Sequence, residues 1–188
     1  MHLTLFQKDQ DYILKLLQAT LQNKMRLSTI FVTLVASATA LTPAPLEERK
    51  AGDGKDIVKY ARKAIGVPYV WGGGDCNGKT DGGFDCSGLN VYALCKATGE
   101  ELPPNSQRQY NEYKKHGGKR VKWQDAKPGD MYFFTNNGNC KTGVHHTNIM
   151  SKKGHVINAP EPGRDVSETP FWKKSGDLEI CPYALRFW

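Results

Sequence analysis

The chain has 188 residues, of which 26 are Lys or Arg and 19 are Asp or Glu, for a formal charge of +7. That length suits one domain with a hydrophobic core plus an extension. The basic excess is moderate and comes with no Lys/Arg-rich helix or RNA-binding signature, which argues against a nucleic-acid reader; it fits either ordinary solubility or attraction to an anionic polymer such as a cell wall.

In chain order, residues 1–24 are a leader of unassigned role. From Met25 the stretch MRLSTIFVTLVASATA carries a basic start at Arg26, an apolar core from Leu27 to Val35, and a small-x-small cleavage site at Ala38-Thr39-Ala40. The apolar run is too short for a membrane span, so residues 25–40 read as a signal peptide. The expectation is a secreted, extracellular protein with no stable membrane association. PLEERK, Pro45 to Lys50, ends in a basic pair, so residues 41–50 are a short pro-segment or an exposed linker. Residues 51–188 are then the mature domain.

All five cysteines, at 76, 86, 95, 140 and 181, follow the signal. In an oxidising compartment an odd count leaves one thiol free or paired between chains. Spacing leaves three connectivities open for the other four; the expected pairing is Cys76 with Cys140 and Cys95 with Cys181.

GDGKDIVKYARKAIG places Ile57, Ala61, Ala64 and Ile65 on one helical face, with Asp53 as start and Gly66 as stop. The glycine-rich loop from Gly72 to Gly83 follows. It lacks a preceding hydrophobic strand and a Gly-Lys-Ser/Thr ending, so it is not a phosphate cradle. Cys86 to Thr98 reads as a nearly all-apolar, buried helix closed by Gly99. A third helix is expected to start near Ser106. After KPGD, Lys127 to Asp130, the segments MYFFT, HHTNIM, GHVINAP and YALRFW are short and β-prone. Helices followed by strands argue for an α+β fold with a small antiparallel sheet.

Cys86 is the residue that points to chemistry. A thiol at a helix N-terminus meets unsatisfied N–H groups and the positive end of the helix dipole, which favour the thiolate and bring its pKa toward neutrality. The alternative is a buried structural cysteine, the usual role of one Cys on an apolar helix. Polar neighbours Asp85 and Ser87, and the glycine loop before it, favour the nucleophile. A histidine would supply the proton that the leaving amine needs. His145, His146 and His155 cluster downstream, with no carboxylate or Cys-x-x-Cys at ligand spacing, so no metal and no other cofactor is expected. On a strand, His146, Asn148 and Met150 share one face, and Thr147 and Ile149 the other. Asn158 lies one strand further on and could fix the imidazole tautomer, although an Asn before a proline turn is more often a turn residue.

GVPYVWGG, FDCSGL, PGDMYFF, HHTNIM and VINAP together closely resemble the NlpC-type cell-wall peptidases, a papain-like cysteine peptidase family, over about residues 54–188. The resemblance implies a papain-like fold with the nucleophile at a helix N-terminus packed on the sheet. It also implies an endopeptidase that cuts bacterial peptidoglycan or its muropeptides, typically between D-glutamate, through its γ-carboxyl, and the following diamino acid. Carried over, Cys86 is the nucleophile, His146 (in preference to His145) the base, and Asn158 the third member, where the family often has His. Tyr69 matches the tyrosine near the oxyanion, and Asp85 and Ser87 match substrate-contacting positions. A muramoyl-alanine amidase on the same fold, or an inactive secreted interaction domain, are the rival readings. The protein is expected to act as a monomer.

Overall fold

Asp53 opens the first helix by capping it: its carboxylate accepts from the backbone N–H groups of Lys55 and Asp56 at 2.8 and 3.1 Å. The computed structural model describes residues 53–188 and, before them, only Lys15 and Gln18. The leader, signal-peptide and pro-segment expectations lie outside the described residues.

Helix α1 (Gly54–Lys63) buries Ile57, Val58 and Ala61, with Ala64 buried at its C-cap; Ile65, expected on the same face, falls beyond the helix end and is exposed. Helix α2 (Cys86–Thr98) begins and ends as the sequence requires, with Asp85 as N-cap and Gly99 left-handed at φ 81° as C-cap. Helix α3 (Ser106–Glu112) is capped by the Asn105 side chain, which accepts from Arg108 N–H at 3.1 Å.

Eight strands follow: β1 (Lys119–Lys122), β2 (Met131–Thr135), β3 (Val144–Lys152), β4 (His155–Asn158), β5 (Ser167–Pro170), β6 (Lys174–Ser175), β7 (Leu178–Ile180) and β8 (Tyr183–Arg186). They form one antiparallel sheet in the order β1-β8-β2-β3-β4-β5, with β7 pairing with β2 and with β6. The four strands expected from MYFFT, HHTNIM, GHVINAP and YALRFW are all present. β1, β5, β6 and β7 escape the sequence reading because each is only two to four residues long and none is fully buried, and the one apolar alternation among them, Leu178-Glu179-Ile180, spans just three residues.

One face of the sheet, with Met131, Phe133, Ile149, Ile157 and Leu185, packs on the helices to form the main core. The other face carries Tyr132, Phe134, Met150 and Val156 under Trp123, Phe171 and Trp172. An α+β architecture is thus observed. The Asp130 carboxylate, fully buried at the start of β2, takes two hydrogen bonds from Arg186 of β8 at 2.7 and 2.8 Å, and a third from Lys127 N–H. Three donors offset the cost of burying that charge.

The disulfides differ from the expected pairing. Cys76 bridges Cys95, and Cys140 bridges Cys181. The reason lies in the glycine loop, which is pressed on α2: a Cβ at Gly88 would collide with the backbone oxygen of Gly73. That contact brings Cys76 alongside the same helix that carries Cys95. Cys140 and Cys181 are drawn together because Cys140 precedes β3 and Cys181 N–H donates to Phe133 O on β2, the neighbouring strand. Cys86 is the free cysteine, as the odd count required.

Candidate active site

The first turn of α2 is built by one carboxylate. Asp85 Oδ1 accepts from Gly88 N–H at 2.7 Å, and Oδ2 accepts from Gly72 N–H at 2.9 Å. Ser87 Oγ lies 2.8 Å from Asp85 Oδ1 and 2.9 Å from Pro104 O. Asp85 and Ser87 line the cavity at Cys86, yet their polar atoms are engaged in tying the glycine loop, α2 and the α2–α3 connection together. Substrate contacts by these two residues would share atoms with that bracing.

Cys86 is 8% exposed. Backbone N–H groups of Thr147, Ser87 and Cys86 itself are oriented to stabilise its sulfur. They do not lower its pKa overall. Burial, with the Asp85 charge adding to it, pushes the thiol up to about 12. The expected shift toward neutrality is therefore corrected: in the resting protein desolvation and a neighbouring carboxylate outweigh the helix terminus. Burial, and the nearby Cys86 and Asp85, likewise push the Tyr69 phenol up to about 12, so it stays a hydrogen-bond donor.

The cavity at the sulfur, about 190 Å³, is lined by Tyr69, Trp71, Asp85, Cys86 and His145 among others. Trp71 is 78% exposed at its rim. His146 and Asn158 line a second cavity of about 370 Å³, together with Glu161, Arg164, Thr169 and Trp172. Among the described residues no hydrogen bond joins Cys86, His146 and Asn158; the Asn158 amide donates instead to Thr169 Oγ1 at 3.3 Å. The sulfur nevertheless faces the peptide N–H of Thr147, the residue next to His146.

Strand β3 distributes its side chains as its alternation predicts. Thr147 is on the helix face, where its hydroxyl accepts from Asn90 Nδ2 at 2.9 Å and donates to Tyr132 O at 2.7 Å. His146 is on the opposite face, with its ring centre 5.9 Å from that of Phe134 and 6.0 Å from that of Trp172. What the alternation hides is a bulge. Phe134 pairs with His146 and Thr135 with Val144, so His145 is the extra residue. A bulge re-aims side chains, and this one leaves His145 exposed at the Cys86 cavity.

Sequence reasoning also missed the buried brace beneath the site. Asn90 Nδ2 donates to Gln109 Oε1 at 3.0 Å, and Gln109 Nε2 donates to Ser87 O and Pro103 O. With Thr147 this pins α2 to α3 and β3. Its one visible signal was a lone Asn within the apolar run LNVYALC.

His146 is 6% exposed, and burial, followed by the neighbouring His145, holds its imidazole down to about 4. An unfolded histidine titrates near 6.5, so between those values the unfolded chain binds more protons than the folded one. The stability from His146 is full above about pH 6.5 and is lost as the pH falls toward 4, on the order of 3 kcal/mol in all. Urea midpoints measured at pH 7 and pH 4.5 are expected to differ less in His146→Gln than in the wild type. An equal drop in both proteins would show that His146 is not the buried titrating group.

A sequence model of the NlpC/P60 family matches residues 66–177. The gamma-DL-glutamyl hydrolase of Bacillus subtilis is 40% identical over 103 residues, 55% of this chain and 22% of its own length. The gamma-D-glutamyl-L-lysine dipeptidyl-peptidase of the same organism is 29% identical over 143 residues, 76% of this chain and 44% of its own. The chain thus spans less than half the length of these curated relatives. Among solved structures, the resuscitation promoting factor interacting protein RipA, mutated at a glutamate, has a TM-score of 0.60 at 29% identity, over 71% of this chain and 61% of that one. RipD of Mycobacterium tuberculosis, described as a non-catalytic NlpC/p60 domain protein adapted to peptidoglycan binding, has a TM-score of 0.55 at 27% identity, over 71% of this chain and 95% of its own.

Proposed function

The chain belongs to the NlpC/P60 family, and from that membership we propose that it is a secreted cysteine endopeptidase acting on peptidoglycan stem peptides. The bond cut joins D-glutamate, through its γ-carboxyl, to the following diamino acid. The observation that carries this reading is the single free thiol at the first residue of α2, facing three backbone N–H groups and set against the strand that bears His146. A binding module of the RipD kind would have no need of that arrangement. Both curated relatives described above carry a γ-glutamyl bond in their names. RipA has been studied with a cysteine, a histidine and a glutamate mutated in turn, the last two 12 positions apart, the spacing of His146 and Asn158 here. Two disulfides support an oxidising, extracellular setting.

In this mechanism the Cys86 thiol passes its proton to His146 as the sulfur attacks the scissile carbonyl. The N–H of Cys86 and the Tyr69 hydroxyl steady the oxyanion. The imidazolium then protonates the departing amine, leaving a thioester. Water, deprotonated by His146, adds to the thioester; the new carboxyl group leaves and the thiol is restored. With Cys86 held near 12 and His146 near 4, the two groups between them hold one proton, on the sulfur, throughout the neutral range. Thiol with imidazole and thiolate with imidazolium are thus two forms of one protonation state, and substrate binding can tip the balance without any change in pH.

One observation favours a variant of this reading: His145, not His146, lines the cavity that contains Cys86. His145 would then be the base, on the same fold and for the same reaction. The reaction itself is tested by incubating the protein with defined muropeptides and weighing the products. Fragments ending in γ-D-glutamate support the proposal. Release of an intact stem from the sugar would identify an amidase, and no release at all would leave only a binding role.

A further inference from the structure

The cavity on the His146 side holds two charged residues that the proposed reaction does not use. Glu161 and Arg164 stand at the two ends of a tight turn, closed by Arg164 N–H donating to Glu161 O at 3.2 Å, with Gly163 left-handed at φ 83°. The turn is anchored. Arg164 O accepts from Tyr69 N–H at 2.9 Å, and Val166 N–H donates to Val67 O at 2.8 Å. The same backbone pairing that sets Tyr69 beside the sulfur therefore sets this pair at the wall of the second cavity.

The guanidinium and carboxylate are 3.6 Å apart, with side chains 62% and 64% exposed. That separation exceeds a hydrogen bond, and an ion pair so open to water holds itself weakly. Both groups keep their capacity to bind something else. The neighbouring wall, Ser167, Thr169 and Asn158, is polar but uncharged. The cavity thus offers one cation and one anion, side by side, at about 370 Å³.

Because His146 delivers a proton to the departing nitrogen, the residue that departs lies on the His146 side. We infer that Glu161 and Arg164 bind the far end of the leaving diamino acid as a zwitterion, its ammonium at Glu161 and its carboxylate at Arg164. The enzyme therefore prefers a stem whose third residue ends in both groups, as diaminopimelate does, over lysine, which offers the ammonium alone. The inference rests on the hydrolase reading of the same site with His146 as the base.

The test uses the purified protein and two synthetic tripeptides, L-Ala-γ-D-Glu-X, in which X is meso-diaminopimelate or L-lysine. A charge-assisted hydrogen bond to the carboxylate predicts a kcat/KM ratio of about ten in favour of diaminopimelate. Arg164→Ala is expected to bring that ratio close to one, mainly through KM for diaminopimelate. Equal cleavage of both peptides by the wild type, or an equal loss on both in Arg164→Ala, would overturn the inference while the hydrolase reading stands. Cleavage of neither peptide would remove the hydrolase reading and this inference with it.

Discussion

Cys86→Ala is expected to lower muropeptide hydrolysis on the order of 10⁴-fold or more, to the level of the uncatalysed background. The chemistry proposed above has no other nucleophile: the remaining four cysteines are bridged, and the hydroxyl of Ser87 is held between Asp85 and Pro104. The fold should survive. Alanine keeps the Cβ, the N-cap belongs to Asp85 rather than to Cys86, and the loss of one buried sulfur removes little apolar area. The measurement is product release by mass spectrometry beside a thermal melt. Hydrolysis retained by a folded Cys86→Ala protein would reject the assignment. A melt lowered by many degrees would instead mean that the residue serves the core.

The second large effect separates the two adjacent histidines. His146→Ala is expected to reduce kcat by roughly 10²- to 10⁴-fold, the usual range for removing a general acid–base. His145→Ala is expected to cost much less, and Asn158→Ala to fall between them, since an amide can orient a ring but carries no charge. The contrast is sharp because the bulge at His145 gives the two rings different surroundings: one exposed at the Cys86 cavity, the other buried between Phe134 and Trp172. If His145→Ala proves the more damaging, the base is the exposed ring. Single-turnover rates with each variant, taken beside circular dichroism, decide between them.

Much of this site was legible in the sequence because its signals are local. Asp53 and Gly99 mark helix ends by their own side-chain and backbone chemistry, and Cys86 is found as the start of the apolar helix that follows the glycine loop. The faces of β3 follow from alternation. What stayed hidden depends on contacts through space. The disulfide pairing is set by the glycine loop lying against Gly88, a packing event with no trace in cysteine spacing. The thiol's raised pKa needs its depth and the position of the Asp85 carboxylate, neither of which a dipole argument supplies. The bulge is a mismatch between two strands and cannot be read from one. The Glu161–Arg164 pair sits in a turn whose composition, Pro and Gly between charges, reads as ordinary surface.

The position of β8 has a consequence for how the domain is made. This strand lies between β1 and β2, yet it is synthesised after every other strand of the sheet. While a ribosome is still extending the chain, β1 has no neighbour and the Asp130 carboxylate lacks its arginine. Closure of the sheet must then wait until Tyr183–Arg186 have emerged. It also means that a product cut off by premature termination just before Tyr183 would be left with an unsealed edge and exposed to quality-control proteolysis.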